Sequence, residues 1–284
     1  MAINTIAVLG AGQMGSGIAQ IAAASGFKVI MRDIKQEFCD KGLNTIKSGL
    51  DRQVSKGKME QAAADAVMAN ITTTVELEGV AAADFVIEAV PEIMSLKQDT
   101  FRQLGEICRE DAILCTNTSS MSITEITKLC KKPERCMGMH FFSPVYAMKL
   151  VEMIRSNVTA DATVEAVREV SKKMGKVPVL CQTDTPGFIV NRCLFAFMLE
   201  AIHEYEEGVA TIEDIDTAIK LGLNHPMGPF EMMDLSGLDT FPHVTEILEA
   251  LPVTSWKCPA SVQAKIDEGK FGRKNGEGWY SYNK

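Results

Sequence analysis

The stretch Asn4–Asp33 constrains the fold more than any other part of the sequence. It begins with an apolar run, Ile6–Gly10, that is typical of a buried strand, and it continues with the pattern Gly-x-Gly-x-x-Gly. The Ala-rich segment Ile18–Phe27 predicts a helix, and Lys28–Arg32 predicts a second strand. This order of strand, glycine turn, helix and strand is typical of a unit that binds a dinucleotide.

The residue types in the turn suit a bound pyrophosphate. The first glycine turns the chain, the second lets phosphate approach the backbone, and the third lets helix and strand pack closely. The helix amino terminus adds unpaired N–H groups and the positive end of the helix dipole. Asp33 ends the second strand, where its carboxylate would accept from both ribose hydroxyls and favour NAD over NADP, although Arg32 leaves that preference open. The expected NAD-binding residues here are Gly10, Gly12, Gln13, Met14, Gly15 and Asp33.

Strand and helix patterns alternate up to about residue 184. Further strands are expected at 71–75, 84–90, 112–115, 137–140, 149–154 and 177–181. Helices are expected at 96–109 and 164–174. This alternation predicts an α/β fold with a Rossmann-like, doubly wound and mainly parallel sheet. After Thr185-Pro-Gly no strand pattern returns, so we expect an NAD-binding domain at 1–184, with a helical insertion at about 36–69, and an all-helical domain at 185–284.

Composition argues against several classes of protein. The chain has 284 residues, with 46% hydrophobic and 23% charged residues, as in ordinary soluble globular proteins. Its net charge of −8 argues against binding to nucleic acid or to an anionic membrane. Eight cysteines without metal-ligand spacing indicate reduced thiols in the cytoplasm and no metal site. Residues 1–27 lack charged side chains, but five glycines and the absence of a basic start argue against a signal or membrane segment.

One helical segment has a basic face. Residues 41–58 contain five basic side chains and one acidic side chain, a net charge of +4 within a chain of −8. Such a face is either simply solvated or a docking surface for a multiply charged anion. The residues alone leave both interpretations open.

Four histidines, at positions 140, 203, 225 and 243, are candidates for the base that hydride transfer from an alcohol requires. On the strand 149–154, Glu152 shares a face with two aliphatic residues, where a carboxylate is costly unless it is paired. His140 ends a neighbouring strand. We therefore expect a His140–Glu152 pair, in which the carboxylate orients the imidazole and favours its protonated form.

Several ordered motifs resemble the L-3-hydroxyacyl-CoA dehydrogenase family, in particular its bacterial 3-hydroxybutyryl-CoA dehydrogenases. The resemblance extends from Ile6 to Tyr282. The motifs are Asn117-Thr-Ser-Ser, His140-Phe-Phe-x-Pro, Met148-Lys-Leu-Val-Glu152, Pro186-Gly-Phe-x-Val-Asn191-Arg and His225-Pro-Met-Gly-Pro229. The resemblance implies an enzyme that interconverts short-chain (S)-3-hydroxyacyl-CoA and 3-oxoacyl-CoA with NAD.

The resemblance also assigns catalytic roles. His140 would be the base and Glu152 its orienting carboxylate. Ser119 and Asn191 would bind the reacting oxygen and the thioester end of the substrate.

Further positions would bind the cofactor and coenzyme A. Asn117, Glu92 and Lys97 would hold the nicotinamide and its ribose. Arg52 and Lys56 would meet the phosphates of coenzyme A, which favours the docking interpretation of the basic face. The sequence departs from the family at Ser143, where Asn is common, and at Arg52, where Lys is usual, and both changes keep the position polar.

The apolar segment 188–202 is short for a membrane span and suggests a homodimer formed by the helical domain. Two other functions remain open: a dehydrogenase of a free hydroxy acid, and a dinucleotide-binding protein of the same fold without turnover.

Overall fold

The structure is a computed structural model that describes residues 3–242, 245 and 258–282. The chain divides into two compact units, residues 1–185 and 186–284. His243, one of the four candidate bases, lies outside the described residues.

The first unit is built on an eight-stranded sheet with the strand order β3-β2-β1-β4-β5-β6-β7-β8. Neighbouring strands are parallel except β6 and β7, which pair antiparallel. The predicted doubly wound, mainly parallel sheet is therefore confirmed. The strands are β1 Thr5–Leu9, β2 Lys28–Arg32, β3 Ile71–Thr74, β4 Phe85–Glu88, β5 Ile113–Thr116, β6 Cys136–Phe141, β7 Leu150–Ile154 and β8 Val177–Cys181.

Alternation along the strands explains how the sheet is covered. Ile6 and Val8 belong to one buried apolar cluster, whereas Ala7 and Leu9 belong to another. Because successive side chains of a strand point to opposite faces, both faces of the sheet are buried. Such strands read as continuous apolar runs, which is why their positions are visible in the sequence.

The helices of the first unit follow the crossover connections between strands. They are α1 Gln13–Ala24, α2 Gln36–Ser55, α3 Gln61–Ala69, α4 Met94–Ile107, α5 Ile123–Thr127 and α6 Asp161–Lys173. The predicted start of the first helix at Ile18 is wrong, since α1 begins immediately after its N-cap residue Gly12. Met14 is the one apolar residue between Gly12 and Ile18, so apolar periodicity does not reveal this first turn.

The second unit contains α7 Val190–Glu206, α8 Ile212–Gly222, α9 Pro229–Ser236 and a last described helix, Ala260–Asp267. Its core includes Met198, Ile202, Phe230 and Met233. The helical prediction holds in the described part, except for isolated β-bridges at Gly272–Glu277 and Glu277–Ser281. These bridges fold the aromatic tail back on itself.

One buried carboxylate anchors the aromatic tail to α9. Asp234 is fully buried and accepts from the backbone N–H groups of Trp279 and Tyr280 and from the Tyr282 hydroxyl. Burial acts to raise the pKa of Tyr282, and its bond to Asp234 acts in the same direction. The hydroxyl therefore stays a hydrogen-bond donor across the physiological pH range.

Asp84 lies immediately before β4, and its carboxylate should make the stability of the protein depend on pH in acid. Its carboxylate accepts from the backbone N–H groups of Asn4 and Thr5 and from Arg109. Burial acts to raise the pKa of Asp84, but these donors outweigh it and hold the pKa below its ordinary value. A lowered pKa contributes stability above the unfolded value of about 3.9, and this stability is lost as pH falls through the folded value.

Asp84→Asn should lower the free energy of unfolding by about 1–3 kcal/mol at pH 7, because it weakens three charge-assisted hydrogen bonds. Urea unfolding at pH 7 and again near pH 3 measures the effect, which should shrink at the lower pH. Asp111→Asn is the control, since Asp111 also pairs with Arg109 but its side chain is 38% exposed, against 10% for Asp84. It should change stability by less than about 0.5 kcal/mol. Equal losses for the two variants would contradict the role of Asp84.

Candidate active site

The glycine turn lies between β1 and α1. Gly10 has a φ of 99°, and a Cβ there would lie 2.5 Å from the carbonyl oxygen of Ala89. A Cβ on Gly15 would lie 1.8 Å from the carbonyl oxygen of Gly10. Gly12 differs, because a Cβ there would meet nothing within 4 Å. The fold itself requires Gly10 and Gly15, whereas the open space over Gly12 suits a ligand that approaches the backbone.

Asp33 lies beside this turn. Its Oδ2 accepts from the backbone N–H of Ala11 at 2.7 Å, and its Oδ1 accepts from Ile34 N–H at 2.7 Å. These bonds hold the carboxylate at the end of β2, next to the glycine turn. The neighbouring Arg32 donates through Nε to the carbonyl oxygen of Val75 at 3.1 Å.

Two further residues of the turn lie at the start of α1. Gln13 donates through Nε2 to Ser143 Oγ at 2.9 Å, and Met14 packs against the main core. The Gln13–Ser143 bond joins the cofactor turn to the segment after β6. The Ser143 hydroxyl thus provides a polar contact at this position.

Strands β4, β5 and β6 are adjacent and parallel, so the residues after them lie along one edge of the sheet. Glu92 follows β4, Asn117 and Ser119 follow β5, and His140 lies near the end of β6. Asn117 Oδ1 accepts from the backbone N–H of Phe141 at 2.8 Å, which ties the ends of β5 and β6 together.

Glu92 fixes the loop that contains Ser119. Its Oε1 accepts from Ser119 N–H at 2.7 Å, from Ser119 Oγ at 3.1 Å and from Thr118 Oγ1 at 2.9 Å. Burial acts to raise the pKa of Glu92, but the Lys97 ammonium and these donors lower it below its ordinary value. Glu92 is therefore a fixed, ionised carboxylate at the edge of the sheet.

Lys97 is buried at the same edge of the sheet, between two carboxylates. Only 1% of Lys97 is exposed, and its Nζ donates to Glu88 Oε1 at 2.7 Å and lies 3.2 Å from Glu92 Oε2. The Lys97 ammonium therefore holds these two carboxylates in place at the edge of the sheet.

Glu88 is a residue that sequence reasoning missed. It is fully buried and accepts from Lys97, from the backbone N–H of Val90 and from Thr116 Oγ1, each at 2.7 Å. The available signal was a single charge inside an otherwise apolar strand, which needs a buried counter-charge.

His140 and Glu152 are in direct contact, as the sequence predicts. They are register partners across the antiparallel pair β6–β7, and His140 Nδ1 lies 2.8 Å from Glu152 Oε2. His140 is 6% exposed and Glu152 is 1% exposed, and the imidazole packs against the ring of Phe142 with centroids 4.5 Å apart. Donation from Nδ1 to the carboxylate sets the tautomer in which Nε2 bears the lone pair.

A cavity of about 980 Å³ lies between α1, α2 and the segment 143–146. Arg52 and Lys41 line it, together with the acidic side chains of Glu37 and Asp40. Lys56 is the exposed C-cap residue of α2 and is not among the lining residues. The basic face is therefore divided, and only part of it lies at this cavity.

The remaining expected site residue belongs to the second unit. Asn191 lies in the first turn of α7. His203 lies in the last turn of the same helix, whereas the sequence placed it after the helix.

Two negative findings concern the described residues. Among them, no group of three or more His, Cys, Asp or Glu side chains is arranged to hold a metal ion. Within the same ranges, no helix has the length and apolar character needed to cross a membrane. All eight cysteines are described, and none of them is in a disulfide bond.

Comparison with known families agrees with this geometry. Residues 5–185 match the family model described as 3-hydroxyacyl-CoA dehydrogenase, NAD binding domain, and residues 187–282 match the C-terminal domain of the same family. The chain belongs to the 3-hydroxyacyl-CoA dehydrogenase family. The match to the NAD-binding domain identifies NAD as the cofactor of the first unit, and the open approach to Gly12 fits that assignment.

Individual relatives cover nearly the whole chain. A probable 3-hydroxybutyryl-CoA dehydrogenase of Deinococcus radiodurans is 44% identical over 276 residues, which is 97% of this chain and 99% of the relative. The 3-hydroxybutyryl-CoA dehydrogenase of Clostridioides difficile is 42% identical over 98% of this chain and 99% of its own length. The crystal structure of (S)-3-hydroxybutyryl-CoA dehydrogenase from Ralstonia eutropha is 40% identical, covers 100% of both chains and gives a TM-score of 0.96.

Gly12→Ala separates cofactor binding from folding. The added methyl meets no protein atom. The free energy of unfolding should therefore fall by no more than about 1 kcal/mol, the cost of a Gly-to-Ala exchange at an N-cap, and the melting temperature should change little. It should still block the pyrophosphate and weaken NADH binding by about tenfold or more, equivalent to at least about 1.4 kcal/mol. NADH titration by fluorescence and thermal unfolding measure the two effects.

Gly15→Ala is the matched control. Its methyl would overlap the carbonyl oxygen of Gly10, so this variant should have both a lower melting temperature and a lower affinity for NADH. NADH binding to Gly12→Ala with wild-type affinity would show that the pyrophosphate does not contact this part of the turn.

Proposed function

We propose that the protein interconverts short-chain (S)-3-hydroxyacyl-CoA and 3-oxoacyl-CoA with NAD, with 3-hydroxybutyryl-CoA and acetoacetyl-CoA as the preferred pair. The main support is the buried His140–Glu152 pair near the edge of an NAD-binding sheet. The full-length relatives named 3-hydroxybutyryl-CoA dehydrogenase support the substrate.

His140 is the proton-transfer group in this proposal. NAD, when bound, supplies the hydride acceptor. Nε2 of His140 takes the proton of the 3-hydroxyl while C3 loses hydride, and in the reverse direction His140 returns a proton to the 3-oxo oxygen. The charge that develops on the imidazole is stabilised by Glu152, whose oxygen lies 2.8 Å from Nδ1.

The loop after β5 places further polar groups at the same edge. We propose that Asn117 and Glu92 bind the nicotinamide ribose, and that Ser119, together with Asn191 of α7, binds the reacting oxygen and the thioester end of the substrate. The bonds from Ser119 to Glu92 support a preorganised loop, because Ser119 is already fixed without substrate.

Coenzyme A would lie along the cavity between α1 and α2. Arg52 lines that cavity, and Lys56 lies one helical turn further along α2, so both would meet phosphate groups near its open end. Glu37 and Asp40 also line the cavity and would repel phosphates from its other positions. The phosphates are therefore directed to the Arg52 end.

Two other functions compete with this proposal. A dehydrogenase of a free hydroxy acid would need neither a cavity of about 980 Å³ nor a basic helix end, and this chain has both. A protein that binds NAD without turnover would not need to keep a histidine and a carboxylate buried together, since that arrangement is costly without a function.

The direct test is NADH oxidation by the purified protein with acetoacetyl-CoA, in parallel with free acetoacetate. We expect kcat/KM to be at least about a thousandfold higher for the thioester, equivalent to about 4 kcal/mol of transition-state binding from coenzyme A. Comparable values for the two substrates would favour the free-acid dehydrogenase. Absence of turnover with either would favour the non-catalytic protein.

Glu152→Gln tests the catalytic pair. The amide keeps the size of the side chain but removes the charge that stabilises the imidazolium. Because this charge acts in the transition state, kcat should fall by about two orders of magnitude or more while KM stays near wild type. Stopped-flow NADH oxidation at saturating acetoacetyl-CoA measures kcat.

Glu134→Gln is the control for this variant, since it removes a carboxylate from an exposed position just before β6. It should leave kcat unchanged. A lower melting temperature for Glu152→Gln with wild-type kcat would assign Glu152 to strand pairing alone and would leave His140 to act without it.

We also propose that the protein is a cytoplasmic homodimer formed through the second unit. The support is a set of exposed aliphatic side chains there, Val209 at 66%, Leu221 at 81% and Leu223 at 59% exposure. Light scattering at micromolar concentration should give twice the 31.0 kDa of one chain, and a monomeric mass would refute the dimer.

A further inference from the structure

One amide side chain lines a cavity without a hydrogen bond to the described part of the fold. Gln20 lies on α1 and is 8% exposed, and within the described residues no hydrogen bond reaches its side-chain amide. Both polar atoms of the amide keep contact with the solvent of the cavity, so a ligand can replace water there. Gln20 lines the cavity between α1 and α2, where a ligand is the available partner.

Access to this amide depends on Gly49. Gly49 lines the same cavity from α2, and a Cβ built there would meet only Gln20 Oε1, at 3.9 Å. Any side chain at position 49 would therefore project over the Gln20 amide. The glycine leaves the amide open to the cavity.

The position of Gln20 along the cavity indicates which part of a ligand reaches it. Gln13 begins α1 and bonds to Ser143, three residues after His140, so this end of α1 is near the reacting centre. Gln20 lies seven residues further, about 10 Å along the helix. Arg52 lies three residues beyond Gly49 on α2, about 4.5 Å further along that helix. Gln20 is thus placed between the reacting centre and the basic end.

In coenzyme A, the part between the reacting thioester and the charged phosphates is the pantetheine arm. It joins the thioester to the diphosphate through a chain of about a dozen bonds. An extended chain spans about 3.5 Å for every three bonds, so the arm is roughly 14 Å long. The arm contains two secondary amides. A primary amide such as that of Gln20 pairs with a secondary amide by donating to its C=O and accepting from its N–H.

We propose that Gln20 binds a pantetheine amide of the acyl-CoA substrate and so makes the enzyme selective for thioesters with this arm. The proposal rests on the proposed function. It makes Gln20 a binding residue that acts on KM, because the amide contact is the same in the ground state and the transition state.

Gln20→Leu removes the amide and keeps a buried side chain of similar size. The assay is NADH oxidation with three thioesters of acetoacetate: that of coenzyme A, that of pantetheine, and that of ethanethiol, which has no amide. We expect KM to rise about tenfold for the first two and to stay at the wild-type value for the third, with kcat and the KM for NADH unchanged in every case.

Two matched variants give the contrast. Arg52→Glu combined with Lys56→Glu should raise KM for the coenzyme A thioester only, since pantetheine has no phosphates. Gln103→Leu removes an amide on α4 outside the cavity and should change none of the three KM values. Gly49→Leu covers the Gln20 amide from the other wall and should reproduce the pattern of Gln20→Leu.

The outcomes separate this proposal from the proposed function. Wild-type turnover of the thioesters, with the same KM in wild type and Gln20→Leu, would overturn the role of Gln20 and leave the proposed function intact. An equal rise in KM for all three thioesters would also overturn it, since it would show a general distortion of the site. Absence of wild-type turnover with every thioester would overturn both proposals.

Discussion

The edge of the sheet where the active-site residues meet depends on one buried ion pair, Glu88 with Lys97. Glu88 holds the Lys97 ammonium, the Val90 N–H and the Thr116 hydroxyl, each at 2.7 Å. Lys97 in turn lies 3.2 Å from Glu92, which accepts both the N–H and the hydroxyl of Ser119. A buried pair is weak evidence for added stability, because desolvation offsets the attraction. Here the Glu88–Lys97 pair contributes by fixing the geometry of the loops that follow β4 and β5.

The same edge uses carboxylates in three different surroundings. Glu88 is paired with an ammonium, Glu152 with an imidazole, and Asp33 with two backbone N–H groups. The partner of each carboxylate determines which role that carboxylate can have at the site. An ammonium is already charged, so Glu88 only holds position. An imidazole changes charge when it takes a proton, so Glu152 can respond to the reaction. Asp33 retains lone pairs for ribose hydroxyls beyond its two N–H donors.

Much of this arrangement follows from the sequence. The glycine turn is visible because sterics demand glycine at Gly10 and Gly15. The His140–Glu152 contact is visible because a carboxylate on an aliphatic strand face needs a partner, and the neighbouring strand offers one. The start of α1 and the burial of Lys97 were not visible. The start of α1 has a single apolar residue, Met14, among glycines and polar residues, which is too few to show periodicity. A lysine spaced like a surface residue is buried only when a carboxylate, here Glu88, lies opposite it.

A polyanion that enters the cavity must bind to a protein whose net charge is −8, so the charges that line the cavity matter. Long-range attraction from the whole molecule is unfavourable, so binding must depend on local groups within about one Debye length, roughly 8 Å at physiological salt. Arg52 and Lys56 supply positive charge at one end of α2, while Glu37 and Asp40 lie near its start. Under the proposed function, this gradient would place the anionic end of coenzyme A at the Arg52 end and leave the uncharged arm for the interior of the cavity. An amide such as Gln20 suits that interior because it binds without adding charge and without attracting the phosphates inward.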